Sequence, residues 1–177
     1  LNLLIINVMS NSKQHKTRYV KSEAIKALEN LLFEQHKAKY PNFPYPIKPK
    51  YSDSTSNGLT KCVIDFIKAN GFHAERINST GSMRDNTKTI TDVLGRKRTI
   101  GSVTWIKSTT QNGTADISAT IKGKSVKIEI KCAASGDNKQ SEVQKIYQKQ
   151  IEASGGVYLI VREFKDFYNW FNTFKDE

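Results

Sequence analysis

Asp116, Glu129 and Lys131 lie close together along a stretch in which polar and apolar residues alternate. Carboxylate oxygens are hard ligands that suit Mg²⁺ or Mn²⁺, and two adjacent carboxylates repel each other unless a cation lies between them. Such an ion can polarise a phosphodiester, activate a water and stabilise the leaving oxygen. A neighbouring lysine can orient that water or offset the charge that builds on the phosphate. These residue types therefore suit metal-dependent hydrolysis of a phosphodiester.

Two predicted strands, residues 114–121 and 125–132, must position these side chains. Because side chains alternate between the two faces of a strand, the apolar residues of each segment share one face. Ala115 is expected to lie on that face together with Ile117. The two carboxylates and the lysine then lie on the opposite face of one hairpin.

The register of this hairpin depends on its turn. A two-residue turn at Lys122-Gly123 places Asp116 opposite Glu129, whereas a turn at Gly123-Lys124 places it opposite Lys131. Either register keeps all three ionisable side chains on one face. An ordinary solvated hairpin face with cross-strand ion pairs would carry the same residue types.

The other elements follow from periodicity, capping residues and turn signals. Helices are predicted at 22–40 (capped by Ser22), 60–69, 141–153 and 163–174. Further strands are predicted at 72–78 and 156–161. A β-ribbon is predicted from strands 87–93 and 98–107, joined by a turn at 94–97. From the second helix onward the order is α-β-(β-ribbon)-β-β-α-β-α, which predicts the α/β class (α+β with a mixed sheet). Residues 1–53 form a basic, helical extension that ends in a proline-rich linker, and residues 54–177 form the main domain.

Three further features of the chain carry specific expectations. The linker aromatics, among them Tyr45, are expected to pack on the domain surface. The aromatic stripe of the last helix (Phe164, Phe167, Tyr168 and Phe171) is expected to be core rather than a base-stacking platform. Cys62 and Cys132 have no metal-binding spacing and are expected to be core thiols in a reducing, cytoplasmic compartment.

The charge balance indicates a polyanionic partner. The chain has 28 Lys and Arg against 17 Asp and Glu, a net charge of +11, and neutralising phosphates releases counterions. DNA contacted through its backbone, with little sequence readout, is the expected partner. The apolar stretch 1–8 is too short to span a bilayer, so no membrane partner is expected. Met9 opens a polar, basic run and is a candidate translation start.

The chain resembles the PD-(D/E)-x-K nuclease superfamily, closest to its VRR-NUC and Holliday-junction-resolvase-like branch, which includes small phage nucleases. The resemblance covers about residues 56–165. It is carried by Gly71–Arg76, Gly113–Ile117, Ile128–Lys131, Ser141–Gln144 and Ala153–Tyr158. It implies a restriction-endonuclease-like αβββαβ core, into which the basic β-ribbon is inserted, and a DNA endonuclease activity that is selective for branched or junction DNA.

The resemblance also implies roles for individual residues. Asp116 and Glu129 would bind Mg²⁺ or Mn²⁺, with the Ile130 carbonyl as a further ligand. Lys131 would be the catalytic lysine, and Gln144, on the following helix, would point back at the site. Cleavage of a junction would need two sites and therefore a homodimer, although the sequence shows no clear dimer surface.

The sequence departs from this family at the first helix of its core. Many members have a glutamate near the position of Thr60 that completes the metal site, whereas this helix offers Thr60 and Asp65. One metal ion is therefore expected and a second is not.

Basic residues beside the predicted site are expected to bind nucleic acid through the phosphate backbone. These are Arg76, Arg96, Lys97, Arg98 and Lys139.

Two alternative functions stay open at this point. One is a DNA-binding module without catalysis, and the other is a basic interaction protein whose hairpin face is merely solvated.

Overall fold

The computed structural model describes residues 19–132 and 139–176. The predictions on residues 1–18, including the candidate start at Met9, lie outside this range. The helices are α1 Glu23–Lys39, α2 Ser56–Ala69, α3 Glu142–Ala153 and α4 Phe164–Asp176. The strands are β1 His73–Arg76, β2 Ser82–Asp85, β3 Lys88–Thr91, β4 Lys97–Ile100, β5 Val103–Ile106, β6 Ile117–Ile121, β7 Lys124–Ile130 and β8 Val157–Val161.

The main sheet has four strands in the order β1-β6-β7-β8. Strands β1, β6 and β7 pair antiparallel, and β8 pairs parallel to β7. A parallel neighbour needs a crossover connection, and α3 supplies it. A mixed sheet with helices confirms the general α/β class and the predicted order of elements. The finer assignment to a nuclease core stays a prediction.

The main hydrophobic core lies between this sheet and helices α1, α2 and α4. Phe164, Phe167 and Phe171 of α4 are fully buried and make edge-to-face ring contacts with Phe66 of α2. The aromatic stripe of α4 is therefore core, as predicted. Cys62 and Cys132 are also buried, and they are not joined to each other by a disulfide.

Helix α1 belongs to the same core, because Ile25 and Leu28 are fully buried in it. A buried carboxylate strengthens this attachment. Glu29 pairs with Lys21 and accepts the backbone N–H of Tyr51 at 2.7 Å. The extension thus contributes a packed helix to the fold, and the proposed domain boundary after residue 53 stays a prediction.

Capping residues explain where the helices begin. Ser22 caps α1, as predicted, because its side chain accepts the N–H of Ile25. The predicted start of α2 at Thr60 is wrong: the helix begins at Ser56, because the Thr55 side chain accepts the N–H of Gly58 and caps it earlier.

The β-ribbon (residues 82–106) differs from the prediction. It contains four short strands, not two, paired as β2 with β5 and β3 with β4 in one continuous register. Asp92 accepts the N–H groups of Leu94 and Arg96, so the turn closes at Arg96 and Lys97 already belongs to β4. Sequence periodicity missed β2 because its four residues include one apolar residue, Met83, and none that is β-branched, whereas β3, β4 and β5 are equally exposed but contain Ile, Val or Thr.

The proline-rich linker also departs from its prediction. Tyr45 is 82% exposed and does not pack on the domain surface. Tyr51, at the end of the segment, is the aromatic that does enter the core. Residues 41–42 form a turn and residues 44–45 a bend, so the Phe43 ring lies edge-on to His36 of α1 while Tyr45 stays exposed.

Candidate active site

The hairpin of β6 and β7 adopts the first of the two possible registers. Ile117 pairs with Ile128 and Ile121 with Lys124, so Lys122 and Gly123 form the two-residue turn and Asp116 faces Glu129. Both turn residues have positive φ, 51° and 77°, which a type I′ turn requires and glycine tolerates without strain.

Asp116 lies at a bend directly before β6 and is held by its backbone and its side chain. Its carbonyl accepts the N–H of Ile77 at 2.8 Å, which extends the pairing of β1 and β6. Its carboxylate Oδ2 accepts the backbone N–H of Ile130 at 2.9 Å. This second bond ties Asp116 to β7, between Glu129 and Lys131.

The bend overturns one prediction. Ala115 does not share the core face with Ile117 but belongs to a second cluster with Tyr147 of α3 and Tyr158 of β8. Strict alternation holds only inside a strand, and the strand begins at Ile117. The residue before the bend therefore turns to the side that α3 covers.

Glu129 is the most enclosed carboxylate of the site, at 3% exposure. Its Oε1 accepts the Gln144 side-chain amide at 2.6 Å and lies 3.3 Å from Lys131 Nζ. Its Oε2 is buried and has no hydrogen-bond partner among residues 19–132 and 139–176. Burial, aided by the Asp116 charge, raises the pKa of Glu129, and the opposing pull of Lys131 and Gln144 does not cancel this.

Lys131 follows directly after β7 and is 4% exposed. Its backbone N–H donates to the Val161 carbonyl at 2.9 Å, which continues the pairing with β8 and directs the side chain to the face of Glu129. A lysine so deeply buried is rare unless it is paired. Its ammonium group is thus placed beside the Glu129 carboxylate.

Gln144 reaches the site from the first turn of α3, and a capping box sets its orientation. The Ser141 side chain accepts the Gln144 N–H, while the Gln144 side-chain oxygen accepts the Ser141 N–H at 2.9 Å. Because this bond occupies the oxygen of the amide, the NH₂ group must face Glu129. The predicted direction of Gln144 toward the site is confirmed.

Two clefts of about 430 and 300 Å³ open beside Asp116 and have Ser79 in common. Arg76 lines the first, and Glu129 and Gln144 line the second. The carboxylates are therefore reached from solvent through clefts whose walls are mostly polar. Sequence reasoning missed Ser79 and Thr110, which line the second cleft. Their only signal is their position in polar loops next to the ends of strands.

The predicted nucleic-acid contacts divide into two groups. Arg76 is exposed and lines a cleft with Asp116. The second group, Arg96, Lys97 and Arg98, lines neither of these two clefts. These residues lie at and next to the ribbon turn, where they are exposed. Lys139 is exposed just before α3.

The donor set bears on how many metal ions the site could hold. Within residues 19–132 and 139–176, no three His, Cys, Asp or Glu side chains cluster as metal ligands. Asp65, left out of the predicted site, pairs with Lys61 and accepts the Tyr51 hydroxyl. Thr60 donates to the Ser56 carbonyl within α2. Among the described residues, the site thus offers two carboxylates, those of Asp116 and Glu129.

A buried tyrosine near the site also escaped the sequence analysis. Tyr158 of β8 has a buried hydroxyl that lies near the Gln140 side chain. Burial raises its pKa, and the nearby Glu129 charge adds to the effect. Its neighbours along the chain are those of an ordinary apolar strand, so the local sequence does not indicate that Tyr158 lies near the site.

Comparison with protein-family models and with curated proteins found no match for the chain. Among the described helices, none combines the length and apolar character needed to cross a membrane.

Proposed function

We propose that the protein is a metal-dependent endonuclease that hydrolyses DNA phosphodiester bonds at Asp116, Glu129 and Lys131. One observation carries this proposal: among the described residues Glu129 Oε2 is buried without a hydrogen-bond partner, and the hairpin register places Glu129 opposite Asp116. An unsatisfied, buried carboxylate oxygen costs free energy unless a group that binds in the folded protein satisfies it.

A divalent cation fits this donor set. Mg²⁺ is commonly held by one or two carboxylates together with waters and substrate phosphate, and two carboxylates are what the site provides. Asp116 and Glu129 would hold the ion, with the Ile130 carbonyl as a further ligand. When bound, the ion would polarise the phosphodiester and lower the pKa of a water.

The protein's own residues would hold the attacking water, position Glu129 and contact the phosphate. Lys131 would hold the attacking water or the developing charge of the phosphate at Nζ, which lies beside Glu129. Gln144 would keep the Glu129 carboxylate in position through Oε1 and leave Oε2 for the cation. Arg76, in the adjacent cleft, would contact a phosphate.

The substrate class follows from charge and from the family resemblance. A net charge of +11 favours a polyanion, and Arg96, Lys97, Arg98 and Lys139 add exposed cations for backbone contacts without sequence readout. Selectivity for branched or junction DNA, a homodimer and a cytoplasmic location rest on the resemblance and on the sequence.

A DNA-binding module without catalysis is the second candidate. The observation that favours it is the two-carboxylate donor set, which lacks the helix glutamate that many similar nucleases have. The buried Lys131 argues against it, because binding alone gives no reason to bury an ammonium group next to the Glu129 carboxylate.

A cleavage assay tests the proposal. Wild-type protein and the Lys131→Ala variant are incubated with linear, flapped and four-way-junction DNA, with Mg²⁺ or with EDTA. We expect cleavage by the wild type with Mg²⁺, a loss of at least about 100-fold in the variant, and none with EDTA. Lys127→Ala is the matched control, because Lys127 lies on the same strand face but donates to Ser118.

Two results would contradict the nuclease proposal. Cleavage that survives EDTA or Lys131→Ala would show that another site does the chemistry. Binding of every substrate without cleavage would favour the binding module. Because Lys131 is buried, a thermal melt must show that the variant folds, and Lys131→Met serves as a second variant that keeps the volume of the side chain.

A further inference from the structure

Trp105 is an exposed aromatic residue at the base of the β-ribbon. It lies in β5 directly opposite Met83 of β2. It is 64% exposed, and Met83 and Val103, on the same ribbon face, are at least half exposed. An isolated two-stranded ribbon is marginally stable in water, and large apolar side chains left in water on such a ribbon indicate a binding surface.

The indole of Trp105 is held in place on one side. A Cβ added at Gly81 would lie 2.6 Å from the indole Nε1 and 2.8 Å from Cε2, so only glycine leaves room for the ring there. The ring therefore rests against the Gly81 backbone while most of its surface stays open. A rigid, supported ring loses little conformational entropy when a flat group stacks on it.

The base of the ribbon is continuous with the clefts of the candidate active site. Thr80, the neighbour of Gly81, lines one cleft with Asp116, and Ser79 lines both. The Ser108 hydroxyl donates to the Asn78 carbonyl at 3.3 Å and holds the two sides of the base together. Trp105 thus lies at the end of the ribbon that adjoins the clefts.

Charge decides between the possible occupants of this surface. The ribbon has five Lys or Arg residues against two Asp, within a chain of net charge +11. A second copy of so basic a surface would be repelled, whereas nucleic acid would be attracted. Aromatic rings beside cations bind single-stranded nucleic acid by base stacking, and paired bases inside a duplex are not available for it.

We propose that Trp105 stacks on an unpaired nucleobase and that the protein prefers DNA with unpaired bases next to the phosphodiester in the cleft. The placement of a phosphodiester in the cleft rests on the proposed function. The binding of an unpaired base by Trp105 stands without it.

The test uses fluorescence, because the chain has two tryptophans. The other, Trp170, stacks on Phe174 in α4, so the Trp170→Phe variant leaves Trp105 as the single reporter. This variant is titrated in EDTA with a short single-stranded oligothymidylate, with the same strand in a duplex, and with inorganic polyphosphate. We expect strong quenching by the single strand, weaker quenching by the duplex, and binding without quenching by polyphosphate.

Affinity measurements complete the test. Trp105→Ala is expected to weaken binding of the labelled single strand about tenfold or more, whereas Trp105→Phe, which keeps a ring, retains most of it. Polyphosphate binding should stay within about twofold in both variants, because neither changes charge. Val93→Ala is the matched control, since Val93 is exposed at the ribbon turn, away from the base. All variants must melt as the parent protein does.

Three outcomes would overturn the inference: unchanged single-strand affinity in Trp105→Ala, equal quenching by polyphosphate, or fluorescence that depends on protein concentration and reports a second copy on this face. The measurements use EDTA, so a protein that never cleaves DNA can still show base stacking. If Trp105→Ala keeps both its single-strand affinity and its cleavage activity, this inference is overturned and the nuclease proposal is left intact.

Discussion

Three neighbouring groups act on the Glu129 carboxylate in opposite directions. Burial and the Asp116 charge disfavour its ionised form, while Lys131 and Gln144 favour it, and the net result is a raised pKa. The metal-free folded state therefore holds a proton on Glu129 more tightly than the unfolded chain does. This group stabilises the fold below its ordinary pKa of 4.5, and that contribution is lost as the pH rises through the folded-state value.

Glu129→Gln should reveal this linkage. The amide stays neutral at all pH values, so in EDTA the variant should become more stable than the wild type as the pH rises above 4.5, and the two should converge in acid. Chemical denaturation over about pH 4 to 8 measures the difference. Added Mg²⁺ should then stabilise the wild type but not the variant. A stability difference that does not change with pH would contradict the placement of Glu129.

At the scale of elements, helix α3 has a structural and a chemical task at the same residues. Ser141 and Gln144 cap its N-terminus, and Gln144 also holds Glu129. Strand β7 presents Glu129 because the type I′ turn at Lys122-Gly123 sets its register. A one-residue shift of that register would move Glu129 to the core face.

A pair of variants separates the two tasks of α3. Ser141→Ala removes one cap bond and should cost about 1 kcal/mol of stability, with little loss of cleavage, because the backbone N–H that orients Gln144 remains. Gln144→Glu keeps an oxygen for the Ser141 N–H but places a carboxylate against Glu129. We expect cleavage to fall on the order of tenfold or more in that variant. Equal activity of the two variants, measured on folded protein, would refute the orienting role of Gln144.

At the scale of the whole molecule, the surplus of positive charge sets how the protein meets DNA. Much of it is exposed, and the tip of the ribbon concentrates Arg96, Lys97 and Arg98. Long-range attraction of this kind is independent of sequence and is screened by salt.

Replacing Arg96, Lys97 and Arg98 together by Gln should weaken binding uniformly across DNA sequences. The slope of log affinity against log salt should fall by about 0.9 for each phosphate that the variant no longer neutralises, or about 2 to 3 in all. Fluorescence anisotropy over a series of salt concentrations in EDTA measures it.

A control triple variant removes the same charge elsewhere. Lys26, Lys37 and Lys68 are exposed on α1 and α2, and the first two are paired with glutamates of α1. Their replacement by Gln should change the slope much less. Equal slopes for the two triple variants would show that net charge acts without a defined contribution from the ribbon.

Local sequence patterns predicted much of this architecture. Alternation in residues 114–132 placed Asp116 and Glu129 on one face, and the cap at Ser22 and the stripe of Phe164, Phe167 and Phe171 were also predicted correctly. The exceptions have physical reasons. Thr55 extends α2 by one turn, and the bend at Asp116 turns Ala115 to the α3 side. Strand β2 has a single apolar residue and none that is β-branched, so no apolar alternation marks it.

The sequence by itself determined the candidate trio, the possible hairpin registers and the positive charge, because alternation, turns and composition depend on residues close together along the chain. Only the tertiary structure decided that Glu129 Oε2 is buried without a hydrogen-bond partner among the described residues, that Gln144 donates to Glu129, and that Trp105 rests on Gly81. Each of these needs segments far apart in sequence to meet. The parallel crossover through α3 and the return of β5 along β2 bring them together.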